Sequence, residues 1–328
     1  MIIREALAAA CADLATAGID TPSLDAALLL AHILQISRTS LAARVTEPLS
    51  QENTEKFFAL VERRKKGECA AYILGKKEFR GLEFLVNPSV LVPRPDTETL
   101  VEAALEILED NFHPLKKEKP RSTQNNAEEE KNFISKTPCN SKLFVEQQSS
   151  VVKNSFTNDN EIRVLDLCAG SGALAVSLKN EMPCLDVHAC DISAEALETA
   201  KENARHLLGE NQIHFYQSDL YDALPRSPFT LIVCNPPYIP TDEINTLSAE
   251  VQKEPRLALD GGKTGLEIIP RIIGRSPDFL RRGGSLLLEA DPRQMEKIAF
   301  LLAGNGFYDI KLYKDLSGQM RVIGGIHE

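Results

Sequence analysis

A chain of 328 residues that is 43% hydrophobic and 26% charged has room for two domains with buried cores, and its composition excludes wholesale disorder and a membrane class. A formal net charge of -10 argues against a broad, sequence-independent grip on nucleic acid, leaving only a local basic patch as an option. The seven cysteines form no CxxC pair and no metal-type spacing with histidine, and several sit in apolar runs, so free core thiols in a reducing compartment are expected and no metal site.

Residues 1 to about 66 read as helices. Ile3, Ala6, Leu7, Ala10 and Leu14 share one face, and Gly18 ends that run. A second helix opens at Thr21-Pro22-Ser23, with Ser23 as its N-cap, and a third opens at Ser50. This all-helical part either packs on its neighbour as a small bundle or serves as a platform for a macromolecular partner. No signal peptide precedes it, and no apolar run along the chain is long enough to span a bilayer, so a cytosolic protein is expected. Phe79 to Val86 alternates around Gly81 and predicts a hairpin linking two domains, 1–70 and 93–328, within a connection at 71–92.

Pro93-Arg94-Pro95-Asp96-Thr97-Glu98 stops any strand, and Asp96 or Thr97 is placed to cap the helix that continues through Leu108. The same polar group before a helix start is able to hold a small charged ligand. Residues 111–160, rich in Lys, Glu, Asn, Ser and Gln, carry too few apolar side chains to offset the entropy of ordering them, and predict a disordered insertion.

From 161 onward strands and helices alternate. Strands are expected at Val164–Leu167, Val187–Cys190, Ile213–Gln217, Leu231–Cys234 and Ser285–Leu288, and helices at Ala173–Asn180, Ala194–Leu208 and about Leu266–Phe279. The last segment reads as a hairpin around Ser317-Gly318. A mostly parallel α/β sheet finished by an antiparallel hairpin is the Rossmann-like class I methyltransferase arrangement, not that of the dehydrogenases.

Two stretches carry the chemistry. Asp166-Leu167-Cys168-Ala169-Gly170-Ser171-Gly172 is a strand end, a glycine-bearing turn and a helix start, and Asp191 closes the next strand where ribose hydroxyls would be met. Asn235-Pro236-Pro237-Tyr238 follows another strand. Two prolines remove two N–H donors and stiffen the backbone, freeing carbonyls to face a ligand, while Asn235 adds an acceptor and Tyr238 a flat ring. Together they point to S-adenosylmethionine-dependent methylation of a planar nitrogen.

With Pro93 to Glu98 and Glu254-Pro255-Arg256-Leu257-Ala258-Leu259-Asp260-Gly261-Gly262 added, the chain resembles the peptide chain release factor glutamine N5-methyltransferases over nearly its whole length, 111–160 excepted. The family usually has glycine where this chain has Cys168. The resemblance implies that the Asn235 side-chain oxygen and the Pro236 carbonyl accept the two amide hydrogens of a glutamine in the Gly-Gly-Gln loop of release factors. Pro237 would keep the segment rigid and Tyr238 would pack on the amide plane. It also implies that Cys168, Ala169, Gly170, Ser171 and Gly172 cradle the cofactor with Asp191 at the ribose. Leu220 would wall the adenine, and Asp219 either meets its amine or is a surface turn. Asp166 either orients the glycine turn or approaches the methionine ammonium, and Thr97 and Glu98 face the methionine end. Glu254 and Arg256 are expected to pair with each other, Glu289 to support the site from behind, and no histidine is given a role. A ribosomal-protein glutamine methyltransferase and an adenine N6-methyltransferase are the alternatives, the second disfavoured by the acidic charge.

Overall fold

The computed structural model describes residues 1–112 and 162–328. The insertion expected over 111–160 lies outside the described residues apart from its first two positions, which close a helix running to Phe112.

The chain opens with helices α1 (Ile3–Thr16), α2 (Pro22–Leu34), α3 (Arg38–Ala43), α4 (Gln51–Lys65) and α5 (Ala70–Leu74). Ile3, Ala6, Ala10 and Leu14 of α1 meet Leu29 and Leu30 of α2 and Phe57 and Val61 of α4 in a core of their own. Ser50 caps α4, accepting from the Asn53 N–H at 3.2 Å. The expected Ser23 cap is corrected: Thr21 is the cap residue and makes no side-chain cap bond, since Pro22 already presets the first helical φ and Thr21 Oγ1 donates to Asp25 instead. Asp25 forms a buried ion pair with Arg64 at 2.6 Å, and Arg64 also reaches Glu250 at 2.8 Å, far along the chain.

A two-stranded hairpin follows, β1 (Lys76–Phe79) and β2 (Leu82–Leu85), in antiparallel register. Its turn, Arg80-Gly81, has φ of 50° and 75°, the double positive that matches the twist of a tight hairpin. Next comes a 3₁₀ turn at Pro95–Thr97 running into α6 (Glu98–Phe112). Neither Asp96 nor Thr97 caps this helix. Arg94 holds the cap position of the turn, Asp96 pairs with Arg321, and Thr97 is engaged elsewhere.

The main sheet contains β3 (Arg163–Leu167), β4 (Asp186–Asp191), β5 (Ile213–Gln217), β6 (Phe229–Cys234), β7 (Leu280–Glu289), β8 (Phe307–Lys314) and β9 (Met320–His327), in the order β5-β4-β3-β6-β7-β9-β8. The first five run parallel, and β9 pairs antiparallel with both β7 and β8, giving the expected terminal hairpin. Val164, Val187, Val233 and Leu287 pack on one face with α6, α7 (Ala173–Glu181) and α8 (Ala194–Leu208); after a short helix α9 (Arg256–Leu259), α10 (Ile269–Arg275) and α11 (Met295–Gly304) pack on the other with Leu165, Ile232, Cys234 and Leu288. Burial on both faces is why the inner strands read as unbroken apolar runs. Among the differences from expectation, the strand at 285 begins at Leu280, the helix expected from Leu266 is confined to Ile269–Arg275, and α11 had no expected counterpart. Among the described residues no helix is long and apolar enough to cross a membrane, and Cys11, Cys69, Cys168, Cys190 and Cys234 are free thiols.

Candidate active site

The sheet order reverses between β3 and β6, which lie side by side with Leu167 opposite Cys234. Open α/β sheets place ligands at that point, beyond the carboxyl ends of the strands. A cavity of about 440 Å³ opens there, large enough for a nucleotide-sized ligand.

Leaving β3, the chain turns through Cys168, Gly170 and Gly172 with φ of 65°, 55° and 79°. Cys168 therefore sits in the left-handed region where a glycine would rest without strain. A methyl group built on Gly172 would come to 3.1 Å from the Ala200 side chain, so this glycine lets α7 start close against α8. One built on Gly170 meets no protein atom within 4 Å. Asp166 is fully buried; its Oδ2 accepts from the Ala175 N–H at 3.0 Å, holding the first turn of α7, and its Oδ1 has no partner among the described residues. Burial pushes its carboxyl up to about 8, with the Ala175 bond acting against the shift and nearby Asp191 adding to it. Asn203, on the buried face of α8, donates to the Ser171 carbonyl at 2.9 Å and pairs with both backbone groups of Leu85, tying turn, helix and hairpin together.

Asp191 accepts from the Gly170 N–H and the Ser193 N–H, each at 2.9 Å. Burial raises its carboxyl, and those bonds oppose the rise. The cap of α8 is Ser193, so Asp191 is not consumed as a helix cap. Beyond β5, Leu220 is buried with φ of 53°, and Asp219 takes both its bonds from Arg271 at 3.0 and 2.9 Å.

Leaving β6, Asn235 donates through Nδ2 to Thr97 Oγ1 at 3.2 Å, and Tyr238 donates through its hydroxyl to Glu289 Oε1 at 3.1 Å. The loop from 255 to 265 lies against this diproline corner: Ile239 donates to the Leu259 carbonyl at 3.0 Å, and a Cβ on Gly261 would fall 2.8 Å from the Pro237 oxygen. The expected Glu254–Arg256 pair is corrected. Glu254 is buried against Arg94 and the Val92 N–H, while Arg256 pairs with Asp260 at 3.1 Å; two side chains two positions apart around Pro255 point to different neighbours.

Of the residues singled out from the sequence, Cys168, Ala169, Gly170, Ser171 and Asp191 line the cavity on one side. Asp219 and Leu220 line another part of it, and Thr97, Asn235 and Pro237 a third. Asp166, Gly172, Glu98, Pro236 and Tyr238 are not on its wall, although Asp166, Gly172 and Tyr238 brace residues that are. Sequence reasoning missed Leu257 and Ile268, which close the wall from the segment after β6, Arg271, which closes it from α10, and Asn203, which ties the glycine turn to the hairpin. Only Asn203 gave a signal, as a polar residue at a core-facing helical position. At the opposite ends of the strands, ligand atoms of Asp186, His188 and His214 lie within 4.8 Å of one another, but the Arg163 guanidinium already sits there, 2.8 Å from both Asp186 and His188.

Sheet order, reversal point and cleft define a Rossmann-like class I methyltransferase. The catalytic domain of hMettl16 shares this fold, with a TM-score of 0.51 at 13% identity over 95% of this chain and 90% of that one. The PrmC N-terminal domain model matches residues 5–75 and the methyltransferase small domain model residues 130–254. The release factor glutamine methyltransferase of Moorella thermoacetica is 34% identical over 98% of this chain and 97% of its own length, and that of Escherichia coli K12 is 33% identical over 93% and 92%. The chain belongs to the release factor glutamine methyltransferase family. The bifunctional methyltransferase of Rickettsia felis is also 34% identical, but the chain spans only 57% of it.

Proposed function

We propose that this enzyme transfers a methyl group from S-adenosylmethionine to the side-chain amide nitrogen of the glutamine in the Gly-Gly-Gln motif of peptide chain release factors, in the cytosol. In this reading residues 1–70 recognise the protein substrate, 71–92 join them to the catalytic part, and 93–328 carry the chemistry. The observation that carries it is the placement of Asn235: its side chain enters the cleft at the end of β6, with the NH2 group held by Thr97.

The residues present suit the cofactor. Gly170 leaves open space, Asp191 is fixed with lone pairs to spare for ribose hydroxyls, and Leu220 offers an apolar wall for the adenine. Bound there, S-adenosylmethionine supplies an electrophilic methyl group on a sulfonium.

A carboxamide nitrogen is a poor nucleophile, its lone pair being delocalised into the carbonyl. Asn235 Oδ1 and the Pro236 carbonyl would accept its two hydrogens, turning the lone pair toward the methyl and meeting positive charge as it develops on nitrogen. Fixing both reactants in this way is worth up to about 7–11 kcal/mol of barrier. Prolines 236 and 237 supply the stiffness, and Gly261 lets the next loop press against them.

The test is methyl transfer from labelled cofactor to a release factor, a ribosomal protein and DNA, with mapping of the labelled residue. One labelled glutamine in the Gly-Gly-Gln loop is expected. Asn235→Ala should abolish turnover while cofactor affinity falls only modestly. Label confined to DNA or to the ribosomal protein, or full activity in that variant, overturns the assignment.

A further inference from the structure

Three cysteines meet at the carboxyl ends of three neighbouring strands. Leu167, the last residue of β3, has Cys190 of β4 opposite it on one side and Cys234 of β6 on the other, and Cys168 follows it. Neighbouring strands lie about 4.8 Å apart and each residue advances about 3.3 Å, which puts the Cα of Cys168 about 5.8 Å from those of both other cysteines. A disulfide spans roughly 4.4–6.8 Å between Cα atoms, so Cys168 is within reach of either. Cys190 and Cys234, two strand spacings or about 9.6 Å apart, are out of reach of each other.

The turn also aims the side chain. An extended residue after Leu167 would point to the opposite face of the sheet. The φ of 65° at Cys168 is about half a turn from a strand value and swings the side chain back onto the face of Leu167. There it packs against the cluster that holds Leu167, Cys190 and Cys234. This backbone costs a non-glycine residue about 1–2 kcal/mol, a strain that points to a use.

The three thiols are not equivalent. Cys168 is half-buried on the cavity wall, where a small molecule in the cleft meets it. Cys190 also reaches the wall, but it is 1% exposed and gives its thiol hydrogen to the Leu220 carbonyl at 3.5 Å. Cys234 is fully buried, immediately before Asn235. Burial pushes the Cys190 and Cys234 thiols up, which keeps them protonated and slow toward an oxidant on their own.

We propose that Cys168 is a thiol modification site inside the cleft: a peroxide oxidises it, the buried Cys234 thiol resolves it as a disulfide, and the bridged protein no longer admits S-adenosylmethionine. This goes beyond the proposed methylation and rests on that reading only for the cofactor.

The electrons balance in two steps. The Cys168 sulfur attacks the peroxide O–O bond, forming a sulfenic acid and releasing water. The Cys234 sulfur then attacks that sulfur, the S–O bond breaks, and hydroxide leaves as water with the Cys234 proton. Two thiols give up two electrons and the peroxide takes them. A dithiol reductant reverses the bridge by exchange. The bridge fixes the turn to the residue before Asn235 and so changes the wall on which the cofactor rests. Bound cofactor, in turn, covers Cys168 and keeps the peroxide out.

The experiment treats the full chain with hydrogen peroxide, alkylates the remaining thiols and maps linked peptides by mass spectrometry, with and without S-adenosylhomocysteine. A bridge between Cys168 and Cys234 is expected, and the ligand at about ten times its dissociation constant should slow its formation about tenfold. By calorimetry the bridged protein should bind S-adenosylhomocysteine at least about tenfold more weakly, and dithiothreitol should restore binding. Cys168→Gly suits the same left-handed backbone. Measured against its own untreated sample, it should keep its ligand affinity through a peroxide dose that abolishes binding in wild type. Cys234→Ala should form no bridge and carry Cys168 on to the sulfinic acid. A Cys168 that stays reduced, a bridge to any other cysteine, unchanged ligand affinity in the bridged protein, or equal peroxide sensitivity in Cys168→Gly overturns the proposal. A bridge that forms and reverses as expected in a protein that leaves release factors unmethylated upholds it and overturns the substrate assignment alone.

Discussion

Replacing Asn203 tests whether the hairpin and the glycine turn are held as one body. Its side chain is fully buried and makes three backbone bonds: Oδ1 to the Leu85 N–H at 2.7 Å, and Nδ2 to the carbonyls of Leu85 at 3.0 Å and Ser171 at 2.9 Å. Asn203→Leu keeps the volume and removes all three. Leu85 is half-buried and recovers water, costing about 1 kcal/mol per bond, whereas the buried Ser171 carbonyl loses its partner outright at about 2–3 kcal/mol, for a total of about 4–5. Asn203→Asp keeps the acceptor for Leu85 N–H but turns an oxygen toward two carbonyls, which raises the new carboxyl above the ordinary range of about 3.9. A group raised on folding stabilises below its unfolded value and loses that contribution as pH rises through the folded one. The Asp variant should therefore lie closer to wild type in mild acid, the gap widening by up to about 1.4 kcal/mol per pH unit until it levels off. With no tryptophan in the chain, urea unfolding is best followed by far-ultraviolet circular dichroism. A Leu variant within about 1 kcal/mol of wild type, or an Asp variant equally destabilised at every pH, refutes the reasoning.

Arg64→Ala should cost about 3–5 kcal/mol, because it strands Asp25 inside the helical core. Asp25→Ala should cost less, since Glu250 still holds the guanidinium, and the ordering of the two variants by urea midpoint is the check. Cofactor binding at neutral pH should release up to one proton, because positive charge entering the cleft in front of the β3 turn pulls down the Asp166 carboxyl behind it, which stands near 8 without that charge. Calorimetry in two buffers of different ionisation enthalpy measures this, and Asp166→Asn should erase the difference.

What the sequence revealed of this fold was local. Ser50 announced its helix because a cap is a contact three residues long. The parallel strands announced themselves as apolar runs because both their faces are covered. The helix Met295–Gly304 also has a local signal, Asp291 and Gln294 closing a capping box around Pro292, but the segment's short apolar stretch is not distinctive without it. The partners of Glu254, Asp219 and Asn203 lie 160, 52 and 118 positions away, and no spacing rule reaches them. The site was legible at Asn235 and Asp191, where strand ends fix position, and illegible along the wall supplied by Leu257, Ile268 and Arg271, whose loop is placed by tertiary contact.

Two kinds of local inconsistency meet around the cleft. Two of the four buried side-chain atoms without partners among the described residues are carboxylate oxygens of Asp166 and Glu289. These residues sit on β3 and β7, the strands flanking the one that ends in Asn235. Cys168 and Leu220, both on the cavity wall, hold left-handed backbone that costs a non-glycine residue about 1–2 kcal/mol. Such costs survive only where the surroundings overdetermine them. A buried carboxylate with a bare oxygen is stabilised by whichever cation reaches it, a proton in the free enzyme or a charged ligand group when bound. Both groups stand behind the cleft wall and not on it, where their charge acts through the wall and favours a positively charged ligand, as a sulfonium cofactor with an ammonium tail would be.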